Sequence, residues 1–156
     1  YLEDVSIPGA TSMTHMINDI DINSMGRYSL EVKNPLLPDL TLNTRRFSIW
    51  AATDVFGKVF ANSQGTVLNN GQVDIFRIFD GPFQITDSAA LASDGTYVIE
   101  DVVLGDFVLL VNPNRTVFPD VLQTYYVSTS DWDKADTLFL YEEAEGIDIQ
   151  LPLIHF

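Results

Sequence analysis

Hydrophobic side chains alternate with polar ones at a period of two along most of this chain, and that alternation limits what it can become. "IDIQLPL" places Ile147, Ile149, Leu151 and Leu153 on one face and Asp148, Gln150 and Pro152 on the other. "YSLEV" turns Tyr28, Leu30 and Val32 inward and Ser29 and Glu31 outward. "GDFVLLV" offers Phe107, Leu109 and Val111 to one face and Val108 and Leu110 to the opposite one. Successive side chains of a strand point to opposite faces, so each segment reads as a strand. Turn signals separate them: "NNGQ" at 69–72, "SDGT" at 93–96 and "NPNR" at 112–115. No window of eleven or more residues carries a 3.6-residue stripe. The pattern predicts an all-β chain, and the spacing predicts a two-sheet β-sandwich.

Beyond residue 50 the strand candidates are 55–61, 72–79, 83–90, 96–101, 106–112, 123–128, 136–141 and 146–153. They suffice for a sandwich domain of about a hundred residues. The first part offers only 2–6, 13–17, 27–33 and 39–49, and four strands rarely make a stable sandwich alone. We therefore place a boundary near "IWAATD", giving a partial segment, 1–50, and a β-sandwich, 51–156.

Charge narrows the partners. The 156 residues carry 8 Lys+Arg against 22 Asp+Glu, a net charge of −14. Residues 1–50 hold 4 basic and 6 acidic side chains, and residues 51–156 hold 4 and 16. So acidic a surface repels phosphate backbones and anionic lipid, which argues against nucleic acid and makes cations worth testing. Cysteine is absent, so disulfides, thiolate metal sites and thiol catalysis are excluded. No apolar run approaches the ~18–20 residues that span a bilayer, so no membrane insertion is expected. The chain starts at Tyr1 without a leader pattern and is expected to be a piece of something longer or a processed product.

Two resemblances follow from motifs. "FGKVFANSQGTVLNNGQVDIFRIFD" and "SDGTYVIEDVVLGDFVLLV" carry Asp94, Gly95, Tyr97, Ile99, Val102, Gly105 and Phe107 in the order D-G-x-Y-x-(F/I)-x-x-(L/V)-x-x-G-x-(Y/F). Residues 55–153 thereby resemble a carboxypeptidase-regulatory-like domain, a transthyretin-like β-sandwich. Asp94-Gly95 is expected to turn a hairpin, Gly95 accepting a positive φ. Tyr97 and Phe107 are expected to fill the core. "FPDVLQTYYVSTSDWDKADTLFLYEEAEGIDIQLPL" is similar to a variant found in large secreted or surface proteins of the Bacteroidota, through Tyr125, Tyr126, Trp132, Ala135, Ile147, Asp148, Ile149 and Leu151. That resemblance implies a non-catalytic accessory module and type IX secretion. "INSMGRYSLEVKNPLLPDLTLNTRRFSI" resembles the late strands of an immunoglobulin-like domain through Gly26, Tyr28, Val32 and Asn34. Ser24 and Leu30 stand where that pattern has Asp and Cys, and Tyr28 is expected to form a tyrosine corner.

The stretch "QTYYVSTSDWDKAD", 123–136, concentrates aromatics and acids. Thr129 or Ser130 reads as the cap of a helical turn, with Asp131 and Asp133 in its first turn, where the helix dipole favours acids. Trp132 and Ala135 would pack that turn onto the sandwich, with Tyr125 and Tyr126 facing opposite ways before it. Two sharper readings compete: calcium on Asp131 and Asp133, or a sugar platform built from Trp132 with Tyr125 or Tyr126. The D-x-D pattern lacks the Gly and distal Glu of an EF-hand loop. Asp19 and Asp21 in "NDIDIN" read as a solvated face, or as a calcium site stiffening a junction. Glu142, Glu143 and Glu145 read as a solvated turn. His15 and His155 fit no metal spacing. No G-x-S-x-G, Walker or dinucleotide motif is present. "NRT" at 114–116 fits a glycosylation acceptor. No cofactor is expected, calcium being the single exception.

These readings rank three functions. The first is a structural module, a stalk or spacer in a secreted or cell-surface protein, contacting neighbouring domains of its own polypeptide or sister subunits. The second is a glycan- or protein-binding module, as in an adhesin, with Trp50, Tyr125, Tyr126 and Trp132 as the aromatics to test. The third is a filament subunit in which a partner donates strands to the incomplete first segment. An enzyme comes last.

Overall fold

A computed structural model describes residues 1–18, 20–62, 64–78, 85–142 and 146–153. The chain divides into two compact units, Tyr1–Ala51 and Ala52–Phe156. Both are built of β-strands, with 3-10 turns at Ile22–Ser24 and Trp132–Lys134.

The first unit holds β1 (Gly26–Tyr28), β2 (Glu31–Asn34), β3 (Leu37–Asn43) and β4 (Phe47–Ile49). β1 pairs antiparallel with β4, and β2 with β3, as two separate two-stranded sheets. The expected strand 27–33 breaks at 29–30 because its partners change there. Ser29 N–H donates to the Tyr1 carbonyl and Leu30 N–H to Thr44 Oγ1. The tyrosine corner forms: Tyr28 O–H donates to the Ser24 carbonyl at 2.7 Å, and its ring stacks on Phe47 at 5.8 Å. No strand forms at 13–17, and 2–6 is reduced to bridges from Leu2 to Val5 and Tyr28.

The expected inward face fails here for a physical reason. Tyr28 is buried, yet Leu30 and Val32 are each 47% exposed. Val32 lies opposite Leu42 on the β2–β3 hairpin, and Leu40 and Leu42 are exposed too. The alternation is correct, but no second layer among the described residues of this unit covers it.

The second unit is a two-sheet β-sandwich. Its strands are β5 (Ala52–Phe60), β6 (Gly71–Arg77), β7 (Ile85–Ala90), β8 (Thr96–Val103), β9 (Gly105–Pro113), β10 (Thr124–Tyr125), β11 (Leu138–Leu140) and β12 (Ile149–Gln150). One sheet runs β10-β9-β6-β7, with β11 sharing the β10 side of β9; the other runs β12-β5-β8. Val73, Ile75, Phe107, Leu109 and Val111 of the first meet Val55, Val59, Tyr97, Ile99, Ile149 and Leu151 of the second in a fully buried core. Asp94-Gly95 does not make a hairpin. β7 and β8 belong to different sheets, so this turn carries the chain across the sandwich, with Gly95 at φ +79° and Ala92 N–H bonded to the Thr96 carbonyl. β7 is an edge strand, and the Asp87 carboxylate accepts at 2.7 Å from the N–H of Ser88, the next residue of the same strand. A charged group on the edge blunts further strand pairing.

Residues 146–153 close the sandwich. β12 runs parallel to β5, with Ile149 opposite Val59. Ile147 N–H donates to the Phe56 carbonyl and Leu151 N–H to the Phe60 carbonyl, both at 2.8 Å. Between them Asp148 Oδ1 accepts from Lys58 N–H at 2.9 Å, so a side chain takes the place of a missing ladder bond. The Ile147 carbonyl accepts the buried Tyr97 O–H at 2.9 Å. Burial, and then the Asp148 charge, push the Tyr97 phenol far above its ordinary range, so it stays a donor. A Cβ at Gly57 would lie 1.9 Å from the same carbonyl oxygen; only glycine admits this approach.

Two substitutions test this closure in urea unfolding of the full chain. Gly57→Ala forces β5 and the 147 backbone apart and is expected to cost about 3 kcal/mol or more. Tyr97→Phe leaves the buried carbonyl unsatisfied and is expected to cost about 1–2 kcal/mol.

Candidate functional site

β9 is apolar on both faces, and its outer face decides the fate of the 123–136 stretch. Val108 and Leu110 point away from the core yet are buried. Phe76 lies opposite Val108, and Tyr125 opposite Leu110. After β10 the chain folds back on itself: Tyr125 and Thr129 exchange backbone hydrogen bonds, and Asp136 N–H reaches the Tyr126 carbonyl. This return lays the 3-10 turn Trp132–Lys134 against the sheet. The Trp132 ring meets Tyr125 edge-on at 5.3 Å and 82°, and Phe76 at 6.1 Å and 77°. Perpendicular contacts of this kind are favoured packing between aromatic quadrupoles. Trp132, Tyr125 and Tyr126 are all half-buried. Tyr125 and Trp132 share no plane.

The acids of the stretch are likewise engaged. Asp131, rather than Thr129 or Ser130, caps the turn, because the turn is a single 3-10 winding that starts at Trp132. Asp131 Oδ1 accepts from Asp133 N–H at 3.3 Å, and Oδ2 pairs with Lys134 Nζ at 3.0 Å. The Lys134 bond first, and then the cap, hold the Asp131 carboxyl below its ordinary value. Asp133 is exposed. Asp21 repeats the device on the 22–24 turn. It accepts from Ser24 N–H at 2.9 Å, Ser24 Oγ at 2.7 Å and Asn23 Nδ2 at 3.0 Å, and the Ser24 hydroxyl leads in lowering its pKa. Asp19, Glu143, Glu145 and His155 lie outside the described residues. Among the described residues no three His, Asp or Glu side chains gather as metal ligands would. Trp50 stands 64% exposed, in the first unit.

One feature escaped sequence reasoning. Asp74 sits at an outward position of β6, where alternation reads as solvated, yet it is buried. Gln72 Nε2 and Asn112 Nδ2 both donate to its carboxylate, so the charge is held in a small amide network beside the aromatic cluster. The signal was present as Gln72, Asp74 and Asn112, but their union depends on the pairing of Gln72 with Asn112 across two strands.

The fold of this chain is similar to that of a solved Streptococcal ancillary pilin. The TM-score is 0.50 at 10% identity, over 72% of this chain and 37% of the pilin chain. No family model matches the sequence, and no curated protein does. Among the described residues no helix is long and apolar enough to cross a membrane.

Trp132→Ala removes the ring packed on Tyr125 and Phe76 and is expected to lower the unfolding free energy by about 2 kcal/mol, with Trp132→Phe losing less; urea midpoints measure both. Asp131 and Asp21 are expected to titrate below the ordinary aspartate value of 3.8. Because folding depresses these values, their stabilisation is complete above the unfolded value and fades as pH falls through the folded one. Carboxylate NMR titration checks the midpoints.

Proposed function

We propose that the chain is a non-catalytic structural module, a stalk or spacer of a larger secreted or cell-surface protein, whose first unit is completed by β-strands from beyond these 156 residues. One observation carries the reading. In the first unit Tyr28 is the one large apolar side chain buried among the described residues. Leu30, Val32, Leu40 and Leu42 cover one face of the β2–β3 hairpin and remain open to solvent, and Phe47 is also exposed. An apolar-lined cavity of about 460 Å³ opens between Ile7, Met13, Tyr28, Leu30 and Phe47. Exposed apolar faces of this extent mark surfaces that a partner covers. The similarity of fold to a pilin supports a structural role, as does the resemblance of residues 55–153 to an accessory sandwich module.

A second reading rests on the same face. The completing strands come from a sister subunit, and the chain assembles into a filament by strand donation. The outer edge of β4 and the two edges of the β2–β3 hairpin, which take no further strand among the described residues, favour it.

Light scattering after size exclusion separates the two. A monomer at all concentrations supports completion within the parent polypeptide. Discrete oligomers that vanish in a Val32→Lys/Leu42→Lys variant support donation between copies. In either case residues 52–156 alone are expected to unfold cooperatively and residues 1–51 alone are not. Cooperative unfolding of isolated 1–51 would sink both.

A further inference from the structure

A groove of about 530 Å³ runs along the closing edge of the second unit, lined by Asn62, Gln64, Ser128 and the run Gln150, Leu151, Pro152 and Leu153. We propose that this groove binds a neutral carbohydrate, at a place separate from the aromatic cluster and independent of the structural role proposed above. Its lining carries no charge, although residues 51–156 hold 16 acidic side chains against 4 basic ones. A cation finds no carboxylate in it, and an anion is repelled by the field around it. What the groove offers is amide chemistry. The side-chain amides of Gln64 and Gln150 stand on its walls and make no hydrogen bond among the described residues. Each presents a carbonyl acceptor and two N–H donors at one end, the pairing that adjacent sugar hydroxyls satisfy.

The rest of the groove is held in shape by its neighbours. Asn62 Oδ1 accepts from Gln64 N–H at 3.0 Å and Thr66 N–H at 3.2 Å, and Nδ2 donates to Thr66 Oγ1 at 3.0 Å. These bonds set the loop that presents Gln64, so Asn62 positions and Gln64 contacts. Ser128 Oγ donates to the Gln150 carbonyl at 2.8 Å, and Leu122 N–H to the Pro152 carbonyl at 3.4 Å. Those bonds occupy the outer edge of β12, so an extended peptide cannot enter by strand addition. A ligand read through side-chain amides, with C–H faces resting on Pro152 and Leu153, fits what remains.

The test uses the full chain on an array of neutral and uronic-acid or sialylated oligosaccharides. The best neutral oligosaccharide is then titrated by calorimetry and by amide NMR. Neutral oligosaccharides are expected to be retained over the acidic ones. Shift changes are expected at 62–66 and 150–153. Gln64→Ala/Gln150→Ala is expected to weaken binding at least tenfold without moving the urea midpoint, and Trp132→Phe to leave affinity unchanged. Retention of no neutral oligosaccharide overturns the proposal. So do preference for the acidic probes, unaltered binding by the double variant, and shifts centred on Tyr125 and Trp132.

Discussion

The sandwich depends on one carbonyl oxygen. Ile147 C=O is pressed against a β-strand where only a hydrogen can stand, at Gly57, and it is satisfied by a phenol from the facing β8, Tyr97. Gly57 and Tyr97 lie opposite each other on β5 and β8. The antiparallel pair thus builds the socket and the C-terminal strand supplies the key. The approach is too close for water, and a buried carbonyl left unpaired is costly. The Asp148 bond to Lys58 N–H then fixes register, because a slip by one residue would turn Ile149 and Leu151 out of the core and Asp148 in.

Around this core the chain spends its polar groups on its own backbone. Asp21 and Asp131 close 3-10 turns, Asp54 accepts from Asp101 N–H beside a register shift in β5–β8, and Asp87 covers an edge amide. Asp21, Asp87 and Asp131 accept N–H groups within three residues, whereas Asp54 and Asp148 accept theirs from 47 and 90 residues away.

Strand character was legible wherever a sheet face was covered. Period two in "IDIQLPL" and "GDFVLLV" located β12 and β9 and named Ile147, Ile149, Leu151, Phe107, Leu109 and Val111 as inward; Leu153, assigned to the same face, is exposed because it lies past the end of β12. The same period in "YSLEV" named an inward face that remains open, because alternation reports amphipathicity and is silent on whether a second layer exists. Strand ends were overestimated: 123–128 shrinks to Thr124–Tyr125 because the chain folds back at Thr129, and 146–153 to Ile149–Gln150 because the Asp148 side chain takes a ladder position. Asp94-Gly95 was legible as a turn but not as an arch between sheets, because the local geometry of both is similar. In the 123–136 stretch the capped turn and its packing were legible, while the exact cap and the third ring, Phe76, were not; Phe76 arrives from some fifty residues upstream through sheet pairing. The amides of Gln64 and Gln150 form no pattern in a sequence at all, being brought together only by the fold.

The long reach of the closing strand has a consequence for biosynthesis. Lys58 and Asp148 are 90 residues apart in the chain. At a translation rate of about 5–20 residues per second, the edge of β5 stands bare for roughly 5–20 s before β12 has been made. During that interval one edge of β5 has no strand partner, and the Tyr97 hydroxyl lacks its Ile147 acceptor. Native closure of this unit therefore waits until the chain has been made beyond residue 150, and it is a slow, non-local step.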